Sequence, residues 1–254
     1  MDDQGERADG VRVLVTGGTS GLGAAMAGAL LGAGARVAVT SRDADRARAA
    51  AGRLGAGAVG IGMDVRDADD VDRGVDAAFE ALGGLDVLVN NAGIGMRTVN
   101  PRFLTDPQPF WAVPPAGFRD VVETNLTGYF LVAAAVVPRL LAAGGGRVVN
   151  VSMNHSTMNR AGFVPYGPAR AGAEALSRIM AADLAGSPVT VNIVLPGGAT
   201  ATGMIPEGAD PAALLPAGVM AAPIRWLCSP AAAGVHDQRI VATEFPGWLA
   251  ARRG

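Results

Sequence analysis

The chain contains no lysine: all 21 of its basic residues, among 254 in total, are arginine. A Schiff-base lysine, a pyridoxal-phosphate anchor and the lysine of a G-x-x-x-x-G-K-[ST] phosphate loop are thereby excluded as internal chemistry. Cysteine is nearly absent. Cys228 stands alone and has no internal disulfide partner, which suits a reducing cytoplasm. Charge of one sign is also lacking: the formal net of −2 leaves no basic face or tail to mark a nucleic-acid partner. No metal site is expected. Met1–Gly10 is acidic and polar, without the n-region and apolar h-region of a signal peptide, and residues 1–10 are expected to be flexible. Apolar runs such as Phe130–Val137 are too short to span a bilayer, so no membrane partner is expected.

What is present is ordinary for one folded domain: half the residues are apolar, with no fixed-period repeat and no linker. Short runs rich in Val and Ile predict buried strands at Val11–Val15, Arg36–Thr40, Ala58–Met63, Asp86–Asn90, Arg147–Val151, Thr190–Val194 and Ile240–Ala242. Helical patterns fall between most of them. The alternation predicts a single α/β domain over 1–254, doubly wound, with a mainly parallel seven-stranded sheet flanked by helices. Ligands of such sheets bind beyond the carboxyl ends of the strands. There the first strand runs into Thr16-Gly17-Gly18-Thr19-Ser20-Gly21-Leu22-Gly23, followed by a predicted helix at Ala24–Leu31. A glycine-rich turn at a helix N-terminus presents backbone N–H groups and a positive dipole end to a phosphate.

The spacing Thr16-Gly17-x-x-x-Gly21-x-Gly23 resembles the cofactor loop of the short-chain dehydrogenase/reductase family, and further segments agree in order. Asp64-Val65 follows the third strand, Asn90-Asn91-Ala92-Gly93 ends the fourth, and Asn125 lies in Glu123-Thr124-Asn125-Leu126. Tyr166-Gly167-Pro168-Ala169-Arg170 occupies the place of the family's Y-x-x-x-K, and Pro196-Gly197 follows the sixth strand. The resemblance runs from Val11 to about Ala242. It implies a Rossmann-type fold and a nicotinamide dinucleotide held by Thr16, Gly17, Thr19, Ser20, Gly21, Leu22, Gly23, Asp64, Val65, Asn91, Ala92, Gly93, Tyr166, Arg170, Pro196, Gly197 and Thr202. After the second strand stands Thr40-Ser41-Arg42-Asp43. Ser41 replaces the acid that would accept from a ribose 2′-hydroxyl, and Arg42 suits a 2′-phosphate, so NADP is expected over NAD. Asp43 would cap the next helix, a role compatible with either cofactor.

The resemblance also implies Tyr166 as acid/base on the substrate oxygen, the residue four positions on as ribose clamp, and Asn125 as helper in a hydrogen-bond relay. Two positions depart from the family. Arg170 replaces the lysine; its guanidinium keeps the charge but is planar and permanently protonated, so it can tune and clamp but not relay a proton. Met153 stands thirteen residues before Tyr166, where the family commonly has serine, and a thioether donates no hydrogen bond. Strand alternation turns Ser152 away, leaving Asn154 and His155 as candidate replacement donors. An arginine at the same spacing also occurs in halohydrin dehalogenases, which resemble this family, but those have lost the dinucleotide loop and kept the serine.

Two long connections, 94–117 and 198–222, are expected on the substrate side. The first carries Phe103, Phe110, Trp111 and the prolines Pro101, Pro107, Pro109, Pro114 and Pro115; the second carries Met204, Ile205, Leu214, Leu215 and Met220. These residues either line a site for an apolar or aromatic small molecule or simply pack on the sheet. The resemblance implies a homodimer or homotetramer through helices near Phe118–Ala143 and Tyr166–Ala185. The expected function is NADP-dependent hydride transfer with a carbonyl or secondary alcohol. Non-redox lyase, isomerase or cyclase chemistry, and a silent cofactor-binding relative, stay open.

Overall fold

The computed structural model describes residues 7–205 and 210–253. All seven expected strands form, with slightly shifted ends: β1 (Arg12–Val15), β2 (Arg36–Ser41), β3 (Ala58–Gly62), β4 (Val87–Asn90), β5 (Gly146–Val151), β6 (Val189–Leu195) and β7 (Arg239–Val241). The helices among the described residues are α1 (Gly21–Gly32), α2 (Ala44–Leu54), α3 (Ala68–Leu82), α4 (Pro115–Val122), α5 (Gly128–Ala142), α6 (His155–Met158), α7 (Tyr166–Asp183), α8 (Ala221–Cys228) and α9 (Phe245–Arg253). The strands are ordered β3-β2-β1-β4-β5-β6-β7, and every pair is parallel.

Strand alternation explains why both faces of this sheet are covered. Val13, Val15, Val37, Val39, Val87 and Val89 join one core with Met26 and Leu30 of α1 and Ile224 and Leu227 of α8. The intervening Leu14, Ala38 and Leu88 join the other, with Val71 and Val75 of α3 and Val132, Val136 and Leu140 of α5. A strand buried on both faces is therefore a nearly continuous apolar run. Each fully buried side chain of this kind contributes roughly 1.5–3 kcal/mol. From β1 the chain winds outward through β2 and β3, then returns to place β4 on the other side of β1. That reversal opens a crevice at the carboxyl ends of β1 and β4.

Four expectations change. The first helix begins at Gly21, not Ala24, because Gly21 takes up a φ of +54° that lets the chain enter the helix directly from the turn. Residues 8–10 are docked rather than flexible: Ala8 is buried, and the Ala8 and Gly10 N–H groups donate to Ala33 and Gly34 carbonyls, each at 2.9 Å. Residues 1–6 of that segment lie outside the described residues. Met220 is no lid residue, since it is fully buried in the sheet core with α1 and α8.

The fourth change concerns length. A π-helical turn, Glu123–Thr127, joins α4 to α5, so the run Pro115–Ala142 is one 28-residue helix long and apolar enough to cross a membrane by length and composition. Core helices of globular proteins meet the same criterion. This one lays Val132, Val136 and Leu140 into the sheet core, and its π-helical turn buries the polar Asn125.

Candidate active site

A cavity of about 580 Å³ occupies the crevice and runs from Gly17–Gly23 past Asn91–Gly93 to Tyr166 and Arg170. Its floor is built by close backbone approach. A Cβ on Gly17 would lie 2.8 Å from the Ala92 Cα, and one on Gly23 would lie 2.5 Å from both the Asn91 Nδ2 and the Gly17 carbonyl oxygen. These glycines therefore dock the turn onto the loop after β4 as well as clearing space for a ligand. Thr16 does not line the cavity; its buried hydroxyl accepts from the Asn91 and Ala92 N–H groups at 3.0 Å and pins that loop. At the α1 N-terminus Ser20 makes no side-chain cap and the first turn carries no acid. The N–H groups there are thus left for an external anion.

Ser41, Arg42, Asp64, Val65, Pro196, Gly197 and Thr202 line the same cavity, as expected. Arg46, in the first turn of α2, joins Arg42 there. Asp43 caps α2 by accepting from the Arg46 N–H at 3.0 Å. The Asp64 carboxylate receives Arg66 Nε at 3.0 Å and NH2 at 2.7 Å. These bonds to Arg66 hold Asp64 below the usual carboxylate range despite its partial burial.

Tyr166 opens α7 and Arg170 follows on the same face one turn later. Arg170 is 3% exposed; its Cζ lies 5.4 Å from the Tyr166 ring centre and its Nε is buried without a partner among the described residues. A Cβ on Gly93 would meet Arg170 NH2 at 2.4 Å, so glycine here leaves room for the guanidinium against the loop after β4. Asn125 stands outside the lining. Its Oδ1 accepts from the Ile94 N–H and its Nδ2 donates to the Ile94 carbonyl, both at 2.9 Å. Both ends of that side chain thus hold the loop after β4 in place. The uncapped α1 N-terminus, the guanidiniums beyond β2 and the glycine floor together fit a nicotinamide dinucleotide.

Of the two candidate donors expected in place of serine, Asn154 lines the cavity and His155 does not. Met153 lines the cavity and packs with Tyr166 against buried Met96, Phe103 and Phe163. His155 does not line the cavity: it is exposed, and its Nε2 lies 2.9 Å from Glu174 Oε2. Ser152 also borders the cavity, but its hydroxyl is committed elsewhere, donating to Glu174 Oε1 at 2.6 Å. Arg239 completes this group by donating from Nε to Glu174 Oε1 at 3.1 Å and from NH2 to the Met153 carbonyl at 2.9 Å. Burial drives the Glu174 carboxyl up, but Ser152, His155 and Arg239 outweigh it and hold the group below its ordinary range. Because Glu174 binds the side chains on either side of Met153, it fixes the strand end that presents the thioether. Asn154 does line the cavity, with its Nδ2 donating to the Gly197 carbonyl at 3.0 Å.

Both long connections contribute to the wall, though only in part. Met96, Phe103 and Leu104 line the cavity, whereas Phe110 and Trp111 are 68% and 75% exposed and stack edge-to-face on each other. From the second connection Met204, Ile205 and Leu214 line it. Arg97 fastens the two connections, donating from NH1 to the Gly203 and Ile205 carbonyls at 3.1 Å. Residues 206–209, within the expected 198–222 loop, lie outside the described residues.

A glycine-turned Rossmann sheet with a tyrosine and a cation in its crevice defines a class, and comparison names it. Residues 11–211 match the family model described as short chain dehydrogenase. The chain belongs to this family of oxidoreductases. It is 32% identical over 189 residues to the 3-oxoacyl-[acyl-carrier-protein] reductase FabG of Vibrio cholerae, covering 74% of this chain and 73% of that one. It is 34% identical over 193 residues to the D-threitol dehydrogenase of Mycolicibacterium smegmatis, covering 75% and 70%. Among solved structures, a 3-ketoacyl-(acyl-carrier-protein) reductase from Brucella melitensis complexed with NADH superposes with a TM-score of 0.80 at 27% identity, over 92% of this chain and 97% of that one. A dehydrogenase/reductase from Sinorhizobium meliloti 1021 does so with 0.80 at 30% identity, over 95% and 97%.

Proposed function

We propose that this chain is an NADP-dependent oxidoreductase acting on a small apolar or aromatic carbonyl compound, or on the corresponding secondary alcohol. The observation that carries the proposal is one continuous cavity holding the glycine turn, Arg42, Arg170 and Tyr166. Bound nicotinamide would supply or accept the hydride. Tyr166 gives its hydroxyl proton to a carbonyl oxygen in reduction and takes one from an alcohol in oxidation. Arg170 holds ribose hydroxyls and attracts the phenolate without moving a proton. Arg42 and Arg46 bind the 2′-phosphate by charge-assisted hydrogen bonds. Asn125 keeps the loop after β4 aligned through Ile94. The thioether and aromatic walls exclude water and select apolar substrates.

The relatives include both a reductase and a dehydrogenase, so the test covers both directions. A carbonyl panel with NADPH and an alcohol panel with NADP are run beside Tyr166→Phe; activity is expected only with Tyr166 present, and turnover that survives loss of the phenol would sink its assigned role. Product formed with neither consumption nor internal oxidation and reduction of the cofactor would favour non-redox lyase, isomerase or cyclase chemistry instead. Cofactor binding without turnover, unrepaired by Met153→Ser with Arg170→Lys, would favour a silent relative. We place the protein in a reducing cytoplasm, in keeping with the free, buried Cys228. We also propose a homodimer or homotetramer through α4, α5 and α7, where Phe118, Phe130 and Ile179 are exposed.

A further inference from the structure

The buried Arg170 forms no ion pair with a carboxylate among the described residues. Its NH1 donates instead to the Tyr129 hydroxyl at 2.6 Å and to the Val151 carbonyl at 3.0 Å. The Tyr129 hydroxyl in turn donates to the same Val151 carbonyl at 3.0 Å. The three groups close a triangle joining α5, α7 and the end of β5. Tyr129 is 1% exposed and has no place in the cavity lining, so it does not touch a ligand there.

The chemistry of the acceptors matters. A carboxylate at this point would hold the guanidinium but also cancel its charge. A neutral phenol and a peptide carbonyl hold one edge of it and leave the charge uncompensated. Burial pushes the Tyr129 phenol above its ordinary value against the pull of Arg170, so the phenol stays neutral. With NH1 engaged, the NH2 edge is turned toward Gly93 and the cavity floor, and the remaining Nε has no partner among the described residues. A lysine ammonium is compact and needs no such fork-shaped seat, whereas a planar guanidinium does.

We propose that Tyr129 is a positioning residue: it seats Arg170 with its NH2 edge toward the nicotinamide ribose and its charge free to act on Tyr166. This rests on the oxidoreductase reading for the role of Tyr166, but its test needs no turnover. The chain has two tyrosines, so tyrosinate absorbance in Tyr129→Phe reports Tyr166 alone. Relative to the lower-pH of the two wild-type transitions, that signal is expected to move to alkaline pH by about half a unit or more. NADPH dissociation, followed by fluorescence, is expected to weaken about threefold or more. In an Arg170→Gln background the same Tyr129→Phe change is expected to do neither, because the effect passes through Arg170. A folded Tyr129→Phe with unchanged titration and unchanged NADPH affinity overturns the proposal, as does an equal effect in the Arg170→Gln background. Should Tyr129→Phe not fold, a crystal structure of the wild-type chain with NADP decides: NH1 still on Tyr129 and Val151 supports the proposal, and a guanidinium released from Tyr129 overturns it. Absence of carbonyl turnover would defeat the functional reading while leaving these measurements to stand or fall separately.

Discussion

The Tyr166 hydroxyl donates to the Met204 sulfur at 3.9 Å, a weak acceptor contributed by the second substrate-side connection. Met153 packs beside the same ring. The proposed acid/base hydroxyl therefore faces thioethers, and a substrate reaching it would have to displace Met204 or lie alongside it. Introducing a donor is expected to help. Met153→Ser should raise kcat/KM on carbonyl substrates by about tenfold, the worth of roughly one oriented hydrogen bond. Steady-state kinetics checks this, with NADPH affinity as the control that should not move.

Cofactor choice should respond to the two arginines beyond β2. Replacing both Arg42 and Arg46 with alanine removes the cations that face the expected 2′-phosphate. The NADP over NAD preference is expected to fall by about 10²-fold, at roughly 1.5 kcal/mol for each charge-assisted contact. Ser41→Asp, which restores an acceptor for a 2′-hydroxyl, should push the ratio further toward NAD. Ratios of kcat/KM for the two cofactors measure it, and an unchanged ratio refutes the assignment of these residues to the 2′-phosphate.

Glu174 should make stability sensitive to acid. Its side chain is 12% exposed, and although burial opposes ionisation, bonds from Ser152, His155 and Arg239 depress its folded pKa. A depressed carboxyl contributes stability that is complete above its unfolded value near about 4.3 and is lost as pH falls through the folded value. Glu174→Gln is expected to lower stability by about 1–3 kcal/mol at neutral pH, because Arg239 then loses its carboxylate. Denaturant unfolding of both forms from neutral to acid pH should show the difference constant above about 4.3, shrinking as pH falls below it, and gone once pH is below the folded value.

Cys228 should be inert in the native protein. The thiol is buried and pushed up to about 12 by that burial, with only partial relief from Arg147. Thiolate is the reactive species, so a disulfide reagent is expected to count no accessible thiol at neutral pH and one after denaturation. Prompt labelling of the folded chain would contradict the burial.

The exposed apolar residues Phe118, Phe130 and Ile179 lead to a last expectation. Phe130→Asp with Ile179→Asp should convert the proposed oligomer to a smaller species in light scattering, at unchanged circular dichroism. A parent that already runs as a monomer refutes the proposed interface.

Much of this was legible in the chain. Val13, Leu14 and Val15 predict a strand buried on both faces because their side chains alternate and all are apolar. Tyr166 and Arg170 predict a shared face because they lie four residues apart on a helix. His155 was not legible: its neighbour Met153 suggested a site residue, but Glu174 draws the imidazole away through an ion-pair geometry set by α7. Nor was Tyr129, which lies far from Arg170 in sequence and carries none of the motif spacing that marks the loop. Phe110 and Trp111 share a Pro-rich connection with Phe103, yet only Phe103 turns inward to Phe163, at a ring separation of 5.6 Å.

The sequence by itself determined the parallel α/β architecture, the glycine turn and the cation beyond β2, because each follows from local periodicity or from residue type at a short fixed spacing, and its resemblance to the family marked the two departures at Met153 and Arg170. Only the tertiary structure decided what those departures meet. Whether a guanidinium is paired by a carboxylate or by a phenol, and whether a hydroxyl faces a serine or a thioether, depends on which distant helix or loop is folded against it, and no local spacing encodes that juxtaposition.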